Sequence, residues 1–263
     1  MEELLSKNSF KAIGRSIGLD VSVTEGHLHI TPLTSDISHQ TSYILPSMKM
    51  VEACRADDFD FFQPFIDAGM LTEAQMRHAA ERYYLGKTRS GQPIFWMIDD
   101  MLTPLDAHIA DGWISTLLKA REPLLQYWYA NHCLFGLHLL MEEGRSKMEE
   151  MKPIGIVESE QSAVVLSELF PESLWMAYAT TSHLDLDLLA PLEGRAVTIY
   201  PRTDSTMSTY LFFLDYAEQV LRRHSLTLHI DTTLEQHATA AQKSRGIDIL
   251  DFIMEAEYAS HSA

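Results

Sequence analysis

Residues 154–170, IGIVESEQSAVVLSELF, begin with a short apolar run and continue with apolar residues at helical spacing. The run IGIV (154–157) predicts a buried strand, and SAVVLSELF (162–170) predicts a helix that follows it. Strands that alternate with helices are joined by right-handed crossovers, so the pattern predicts an α/β fold with a mainly parallel sheet flanked by helices. The further predicted strands are residues 173–179, 196–201 and 226–231, and the further predicted helices are residues 209–223 and a last helix that ends at 254.

The chain before residue 150 has a different pattern. Residues 21–32 alternate apolar and polar side chains around a Glu-Gly pair, which predicts a short hairpin. Residues 57–85 are typical of two helices, and Thr72 with Gln75 forms a capping-box pattern at the start of the second. These elements predict a mixed α+β region rather than a continuation of the alternating pattern.

Two further features complete this region. The segments YYLGKT (83–88) and PIFWMIDD (93–100) flank a turn-prone sequence and predict a second hairpin. Residues 124–141 predict a strongly apolar helix interrupted near Gly136. The resulting division is an N-terminal segment with a short hairpin (1–55), an α+β region (56–148) and an α/β domain (149–263).

Composition restricts the class of protein. The 263 residues are 46% hydrophobic, which is enough for a large core. The two cysteines, Cys54 and Cys133, form no CxxC pair, so neither a zinc ribbon nor a disulfide framework is expected. The first ten residues do not have the pattern of a secretory signal, and no uncharged apolar run reaches the roughly 18–20 residues that span a bilayer. We therefore expect a cytoplasmic protein without membrane association.

The charge balance bears on nucleic-acid binding. A formal net charge of −17 repels phosphate backbones unless a local basic surface overrides it. Two groups of basic residues are candidates for such a surface, although solvated surface charge is the alternative interpretation. The first group is Arg82, Lys87 and Arg89, and the second is Arg222, Arg223, Lys243 and Arg245.

Charged residues follow two of the predicted parallel strands. Glu158 and Glu160 follow the first strand, and Arg202 and Asp204 follow the third. Ligands of such sheets bind beyond the carboxyl ends of the strands, where carboxylates from neighbouring strands can converge on Mg²⁺. The alternative is that both glutamates only interact with the dipole of the helix that they begin. No phosphate-binding loop, dinucleotide fingerprint, HExxH or GxSxG motif is present.

The order of these segments resembles the Toprim domain, the α/β catalytic core of primases and topoisomerases. The resemblance covers residues 83–254, and within this range the chain is similar to a Toprim-like family of bacterial mobile genetic elements. Because the matching segments begin upstream of the alternating pattern, the resemblance implies a primase-like α+β region before the Toprim-like domain. Members of that family often carry an amino-terminal zinc-binding segment, for which this chain has no suitable cysteines. The matching segments are IFWMIDD (94–100), CLFGLHLL (133–140), GIVESEQSA (155–163), AVTIYPRTD (196–204) and GIDILDFI (246–253).

The chain departs from the Toprim pattern at its metal site. The resemblance implies that Glu158 is the general acid/base or metal ligand and that Asp204 is the second aspartate of a DxD motif. Arg202 stands where the first aspartate belongs, and a guanidinium cannot bind a cation. Ser159 and Ala179 also replace expected glycines. The implied function is that of a degenerate Toprim or primase-like protein, linked to DNA replication or transfer of a mobile element and acting by nucleic-acid or protein binding.

Three questions stay open at this point. The chain could instead be an active Mg²⁺-dependent nucleotidyltransferase or nuclease that uses Glu158, Asp204 and Glu160, or a purely protein-binding module. Arg202 could bind a phosphate, with Lys87 and Arg89 as further contacts to nucleic acid, or form an ion pair with Glu158 or Asp204. The sequence predicts neither the oligomeric state nor the partner, which could be DNA or a replication or mobilisation protein.

Overall fold

The computed structural model describes residues 19–24, 27–32, 46–110, 112–119, 132–143 and 151–261. Its first elements are a two-stranded antiparallel hairpin and three helices, with a single 3₁₀ turn at Asp60–Phe62 before the second helix. The hairpin and the capping box are confirmed: the Thr72 side chain accepts from the Gln75 amide, and the Gln75 side chain accepts from the Thr72 amide. These elements are β1 (Leu19–Thr24), β2 (His27–Pro32), α1 (Met48–Cys54), α2 (Gln63–Asp67) and α3 (Glu73–Arg82).

A four-stranded antiparallel sheet follows, in the order β3-β4-β5-β6. The predicted hairpin at 83–100 is confirmed as its first two strands, whereas the last two strands and the helix after them were not predicted. Asp106 and His108 interrupt the apolar pattern of the third strand, β5, so the periodicity of the sequence does not predict this strand. The elements are β3 (Gly86–Lys87), β4 (Pro93–Ile98), β5 (Pro104–Ile109), β6 (Gly112–Trp113) and α4 (Ile114–Lys119).

Of the apolar segment 124–141, the described residues are only partly helical. Its residues up to 131 lie outside the described part of the chain. The predicted interruption near Gly136 is confirmed, since this residue has φ +85°. An α-helix over 132–141 is wrong: Phe135 exchanges backbone hydrogen bonds of 2.8 and 3.0 Å with Ala177, and a 3₁₀ helix covers Leu137–Glu143. The amide and carbonyl of Phe135 are thus used in a bridge to another strand rather than in a helix.

The second half of the chain is a four-stranded parallel sheet flanked by helices, as predicted. The strand order is β10-β9-β7-β8, so the predicted first strand lies in the interior of the sheet. All four residues of β7 are buried, which explains their continuous apolar sequence. The elements are β7 (Ile154–Val157), α5 (Glu160–Leu169), β8 (Leu174–Ala177), β9 (Ala196–Ile199), α6 (Ser208–Leu221), β10 (Thr227–Ile230), α7 (Thr233–His237), α8 (Ala240–Arg245) and α9 (Ile249–His261).

Gly155 lets β7 and β8 pack closely. A Cβ atom at this position would lie 2.7 Å from Cε3 and Cζ3 of the Trp175 ring, a distance that real Cβ contacts do not reach. The ring therefore covers the glycine, and the indole nitrogen donates to the carbonyl of Phe170 at 3.2 Å.

The two sheets share a hydrophobic core. One buried cluster includes Phe62 and Phe95 from the first half of the chain and Ile156 and Phe213 from the second. The buried hydroxyl of Tyr83 also donates to the carbonyl of Trp175 at 2.7 Å. The predicted regions 56–148 and 149–263 therefore pack against each other, and their division into separate domains stays a prediction. None of the helices in the described ranges combines the length and apolar composition that a bilayer crossing requires.

Candidate functional site

A cavity of about 460 Å³ lies at the carboxyl edge of the parallel sheet. Its charged lining comes from three separate places: Glu158 after β7, Arg202 after β9, and Asp248 and Asp251 at the start of α9. Apolar side chains from the first half of the chain, including Phe61 and Phe65, close one side. The position agrees with the rule that ligands of parallel sheets bind beyond the carboxyl ends of the strands.

Glu158 and Arg202 form the central ion pair of this cavity. The Nε atom of Arg202 lies 3.8 Å from Oε2 of Glu158, and the arginine side chain is 47% exposed. Burial raises the pKa of the Glu158 carboxyl, Arg202 opposes the shift, and the nearby negative charge of Asp248 adds to it. The ion pair anticipated between Arg202 and Glu158 is therefore present. At this distance, with a partly exposed arginine, the interaction is weak.

Tyr178 is a buried polar group beside this pair. Its hydroxyl is inaccessible to solvent and makes no hydrogen bond of ordinary geometry within the part of the chain that the structure describes, but it lies close enough to Glu158 for the two groups to shift each other's pKa as hydrogen-bond partners. Burial raises the pKa of this phenol, and the adjacent negative charge of Glu158 raises it further. Buried hydroxyls without a partner are uncommon, because leaving one unsatisfied costs roughly 1–3 kcal/mol. The hydroxyl is thus buried beside Glu158 rather than presented to solvent.

The loop after β9 holds Arg202 in place through contacts that are distant in sequence. The Nε–H of Arg202 donates to the carbonyl of Gly246 at 2.9 Å. The next residue, Thr203, donates its amide to the carbonyl of Ile247 at 3.1 Å and its hydroxyl to Glu235 at 2.8 Å. Because the Nε–H is already occupied, the terminal nitrogens are the donors of this guanidinium that have no hydrogen-bond partner among the described residues.

Asp248 and Asp251 were not among the predicted site residues. They cap the start of α9 reciprocally: Asp248 Oδ1 accepts from the Asp251 amide at 2.9 Å, and Asp251 Oδ2 accepts from the Asp248 amide at 3.2 Å. Asp248 Oδ2 also accepts from the Ser162 hydroxyl at 2.5 Å. Burial and the charge of Asp248 raise the pKa of Asp251. The signal for both residues was the GIDILDFI segment, which supported the resemblance but was not carried into the predicted site.

Asp204 lies at the same edge of the sheet but does not line the cavity. Its two carboxylate oxygens accept hydrogen bonds from the backbone amides of Thr206, Ser208 and Thr209 at 2.7, 3.2 and 2.7 Å. They also accept from the hydroxyls of Thr206 and Ser208. These bonds, with that from the Thr206 hydroxyl foremost, hold the pKa of Asp204 far below its usual range. In this structure the residue caps α6, so its predicted role as a metal ligand requires a different carboxylate orientation.

Glu160 faces the antiparallel sheet instead of the cavity. Its buried carboxylate lies 2.7 Å from Nδ1 of His108, and this hydrogen bond raises the pKa of the histidine. The His108 ring stacks on Trp113 with centroids 4.9 Å apart. Glu160 therefore connects the two sheets. It does not line the cavity that contains Arg202, so its position gives no support to its predicted catalytic role.

Lys87 and Arg89 do not line the cavity either. Lys87 pairs with Asp58 at 3.1 Å and lies over the Phe59 ring, with Nζ 5.2 Å from the centroid. Arg89 is exposed in the turn between β3 and β4. The other five basic candidates are each paired with a carboxylate. These pairs are Arg82 with Glu142, Arg222 with Glu218, Arg223 with Asp187, Lys243 with Glu235, and Arg245 with Glu255.

The arrangement brings an arginine and three carboxylates around one cavity, with the buried Tyr178 phenol beside Glu158. Within the described ranges, no group of three or more His, Cys, Asp or Glu side chains is arranged to hold a metal ion. The pKa values of Glu158 and Asp251 are raised, so a cation bound beside these carboxylates would stabilise their ionised forms. Arg202 is the group in the cavity that is suited to binding an anion.

A family model matches part of the chain. No curated protein and no solved structure matches the chain. Residues 104–203 match a family described as a domain of unknown function, DUF6371. The matching stretch begins at β5, crosses the predicted boundary at residue 149 and ends just after Arg202. The chain is thus similar, over the segment that supplies Glu158 and Arg202, to a family whose description states no activity.

Proposed function

We propose that the chain is a Toprim-like protein of the primase type that binds a nucleic-acid phosphate at the carboxyl edge of its parallel sheet, without phosphoryl-transfer chemistry. The resemblance links such a protein to DNA replication or transfer of a mobile element. What supports the proposal is the order of residues around the cavity: Glu158 after β7, Arg202 after β9, and Asp248 with Asp251 at the last helix.

The observation that carries the proposal is the position of Arg202. Its Nε–H is held by the Gly246 carbonyl, and its terminal nitrogens make no hydrogen bond to a residue of the described ranges. A guanidinium oriented in this way presents two parallel donors, the geometry that binds phosphate in a bidentate manner. Glu158 at 3.8 Å is near enough to neutralise the empty site and far enough to be displaced.

The absence of phosphoryl transfer is inferred from two placements. A permanent cation, Arg202, occupies the position at which the Toprim pattern has a metal-binding aspartate. The aspartate that does match the pattern, Asp204, uses both carboxylate oxygens to cap α6. A Mg²⁺ ion at this edge would have to compete with the fixed charge of Arg202 and with these hydrogen bonds.

The test is binding of a fluorescent single-stranded oligonucleotide, measured by anisotropy at low salt and over a salt series. We expect Arg202→Gln to weaken binding about 10-fold to 100-fold, the value of a lost charge-assisted contact. Glu158→Gln should strengthen binding, because it removes the competing carboxylate. Arg77→Gln is the matched control, since Arg77 is similarly exposed and pairs with Glu73 on α3.

The pH dependence provides a second readout. Protonation of Glu158 releases Arg202, and the pKa of this carboxyl is raised. Oligonucleotide affinity should therefore increase as pH falls through the pKa of Glu158, while the charge of the phosphodiester stays constant. Glu158→Gln should lose this dependence. If the wild-type protein does not bind at low salt, or if Arg202→Gln binds equally well, the proposed function is wrong.

A second candidate function is supported by two carboxylates that line the same cavity, Glu158 and Asp251; a bound divalent cation would lower their raised pKa values. It is a Mg²⁺-dependent nucleotidyltransferase or nuclease in which Glu158 and Asp251 hold the metal. A thermal-shift titration with Mg²⁺ and Mn²⁺ distinguishes the two. Metal-dependent stabilisation that disappears in Glu158→Gln and Asp251→Asn supports the enzyme, whereas no shift at millimolar metal removes it.

A further inference from the structure

Three histidine rings surround the indole of Trp113, outside the candidate functional site. The His108 ring stacks on the indole with centroids 4.9 Å apart, and the rings of His132 and His183 meet it edge-on at 4.9 and 4.6 Å. We call these four residues the histidine cluster. Trp113 and His108 belong to the antiparallel sheet, whereas His183 follows β8 of the parallel sheet. The cluster therefore joins the two halves of the fold.

His132 and His183 form the tightest contact of the cluster. Their rings are nearly parallel, 16° apart, with centroids separated by 3.7 Å. Two neutral rings can stack at this distance, whereas two charged rings would repel each other strongly. An imidazole nitrogen binds a metal in the plane of its own ring, so two rings stacked face to face do not share one metal ion. The geometry is thus that of an uncharged stacked pair.

The surroundings of His183 disfavour its charged form. Its Nδ1 atom is buried and has no hydrogen-bond partner in the described part of the chain. Burial lowers the pKa of this imidazole, and the adjacent His132 lowers it further. The buried carboxylate of Asp106 opposes the shift, and the charge of His108 adds to it. A proton is therefore bound less readily by His183 in the folded chain than by a histidine in water.

The other titratable groups near the pair are either engaged or uncharged. Asp106 on β5 is fully buried and accepts hydrogen bonds from two backbone amides and the Ser115 hydroxyl. Glu160 at the start of α5 is paired with His108 at 2.7 Å. The thiol of Cys133 stays uncharged because burial raises its pKa. Both buried carboxylates are thus engaged before the stacked pair gains a charge.

An open cavity of about 410 Å³ lies on the outer side of the pair. It is lined by both rings of the pair and by two exposed carboxylates, those of Asp185 and Asp187. Solvent screens exposed carboxylates, and Asp187 is also paired with Arg223 at 3.2 Å. The cavity therefore gives solvent protons access to the pair without supplying it with a buried counter-ion.

We propose that the stacked pair of His132 and His183 is an acid-sensitive contact, which holds the segment after β8 against the antiparallel sheet and releases it when the pair gains a proton. A proton on either ring places a cation in the same cluster as His108, and a charged His183 carries an Nδ1–H that faces no acceptor among the described residues. The contact does not depend on the proposed function, because its residues do not line the cavity of that site.

The part that is released is short. Thr181–His183 forms a single 3₁₀ turn whose amides are held by Thr180: Ser182 donates to its hydroxyl at 3.4 Å, and His183 donates to its carbonyl at 3.1 Å. Thr181 and Ser182 are exposed. Few contacts besides the histidine rings therefore hold this turn in place, and it can open locally while the sheets stay folded.

The test is hydrogen exchange of the full chain over a pH series from 7.5 to 5.0 in EDTA, corrected for the intrinsic effect of pH on exchange. Coupled histidine pairs interact by about one pKa unit or more, which is a factor of about 10. The protection of residues 179–186 should therefore fall at least about 10-fold as pH decreases below about 6.5, because the folded-state pKa of His183 is lowered. The protection of α6 should change little over the same range.

Two variants keep a flat ring but cannot gain a proton, His183→Phe and His132→Phe. In each, the protection of residues 179–186 should become less dependent on pH. His78→Phe is the matched control and should behave as wild type, because His78 lies outside the cluster and pairs with Glu168 at 2.7 Å.

Nuclear magnetic resonance titration of the wild-type imidazoles does not depend on how well the variants fold. We expect His183 to titrate below the ordinary histidine value of about 6.5. Constant protection of residues 179–186 between pH 7.5 and 5.0, full pH dependence in both phenylalanine variants, or titration of His183 at its ordinary value would each overturn the proposal. Protection that appears only when Zn²⁺ replaces EDTA would also overturn it, since the cluster would then be a metal site.

Discussion

Replacement of Asp204 by alanine distinguishes a helix cap from a metal ligand. The substitution removes the acceptors of three backbone amides, those of Thr206, Ser208 and Thr209. Loss of a capping side chain costs about 0.5–2 kcal/mol, and three affected amides place the expected loss near 2 kcal/mol. At about 2–4 °C per kcal/mol for a domain of this size, the melting temperature should fall by about 4–8 °C.

The assay is thermal unfolding followed by circular dichroism in the presence of EDTA. The folded-state pKa of Asp204 is depressed by its hydrogen bonds, so its contribution is present above the ordinary carboxyl pKa of about 3.9. That contribution is lost as pH falls through the lower folded-state value. The difference between wild type and Asp204→Ala should therefore be constant near neutral pH and decrease in strong acid.

Two further variants make the experiment specific. Asp204→Ser retains one acceptor and should recover much of the lost stability. Asp185→Ala removes a carboxylate that accepts from one backbone amide, that of Asp187 at 2.9 Å, and should have a smaller effect. An Asp204→Ala protein that melts within about 1 °C of wild type in EDTA would refute the capping argument. A difference that appears only with Mg²⁺ would instead identify Asp204 as a metal ligand.

Two other predictions concern the core. Gly155→Ala should destabilise the fold by about 1–3 kcal/mol in urea unfolding, because its Cβ meets the Trp175 ring at 2.7 Å, and a second substitution, Trp175→Leu, should recover part of that loss. Additive effects of the two substitutions would contradict this contact. Burial lowers the pKa of His138 to about 4, so stability should fall, by on the order of 3 kcal/mol, as pH decreases from about 6.5 to 4. His138→Phe should lack this component, and identical pH profiles of the two proteins would exclude it.

The parallel sheet could be predicted because its strands depend on local features. The run at 154–157 matches β7 residue for residue, and the other three predicted strands overlap observed ones. A strand that is buried on both faces must be apolar at successive positions, which the sequence shows directly. The antiparallel strand β5 could not be found in this way. Its Asp106 is fully buried because the amide and hydroxyl of Ser115 satisfy it, a partner that periodicity does not reveal.

The candidate site shows the same division. The sequence alone placed Glu158 and Arg202 at one edge of a sheet, since strand ends and βαβ connections follow from apolar runs and their spacing. Only the tertiary structure decided which carboxylates accompany them. Asp204 turns toward the amides of its own helix, whereas Asp248 enters the cavity through a hydrogen bond with Ser162, 86 positions away. The direction of a side chain depends on donors supplied by distant segments, and no local pattern encodes which donor lies within reach.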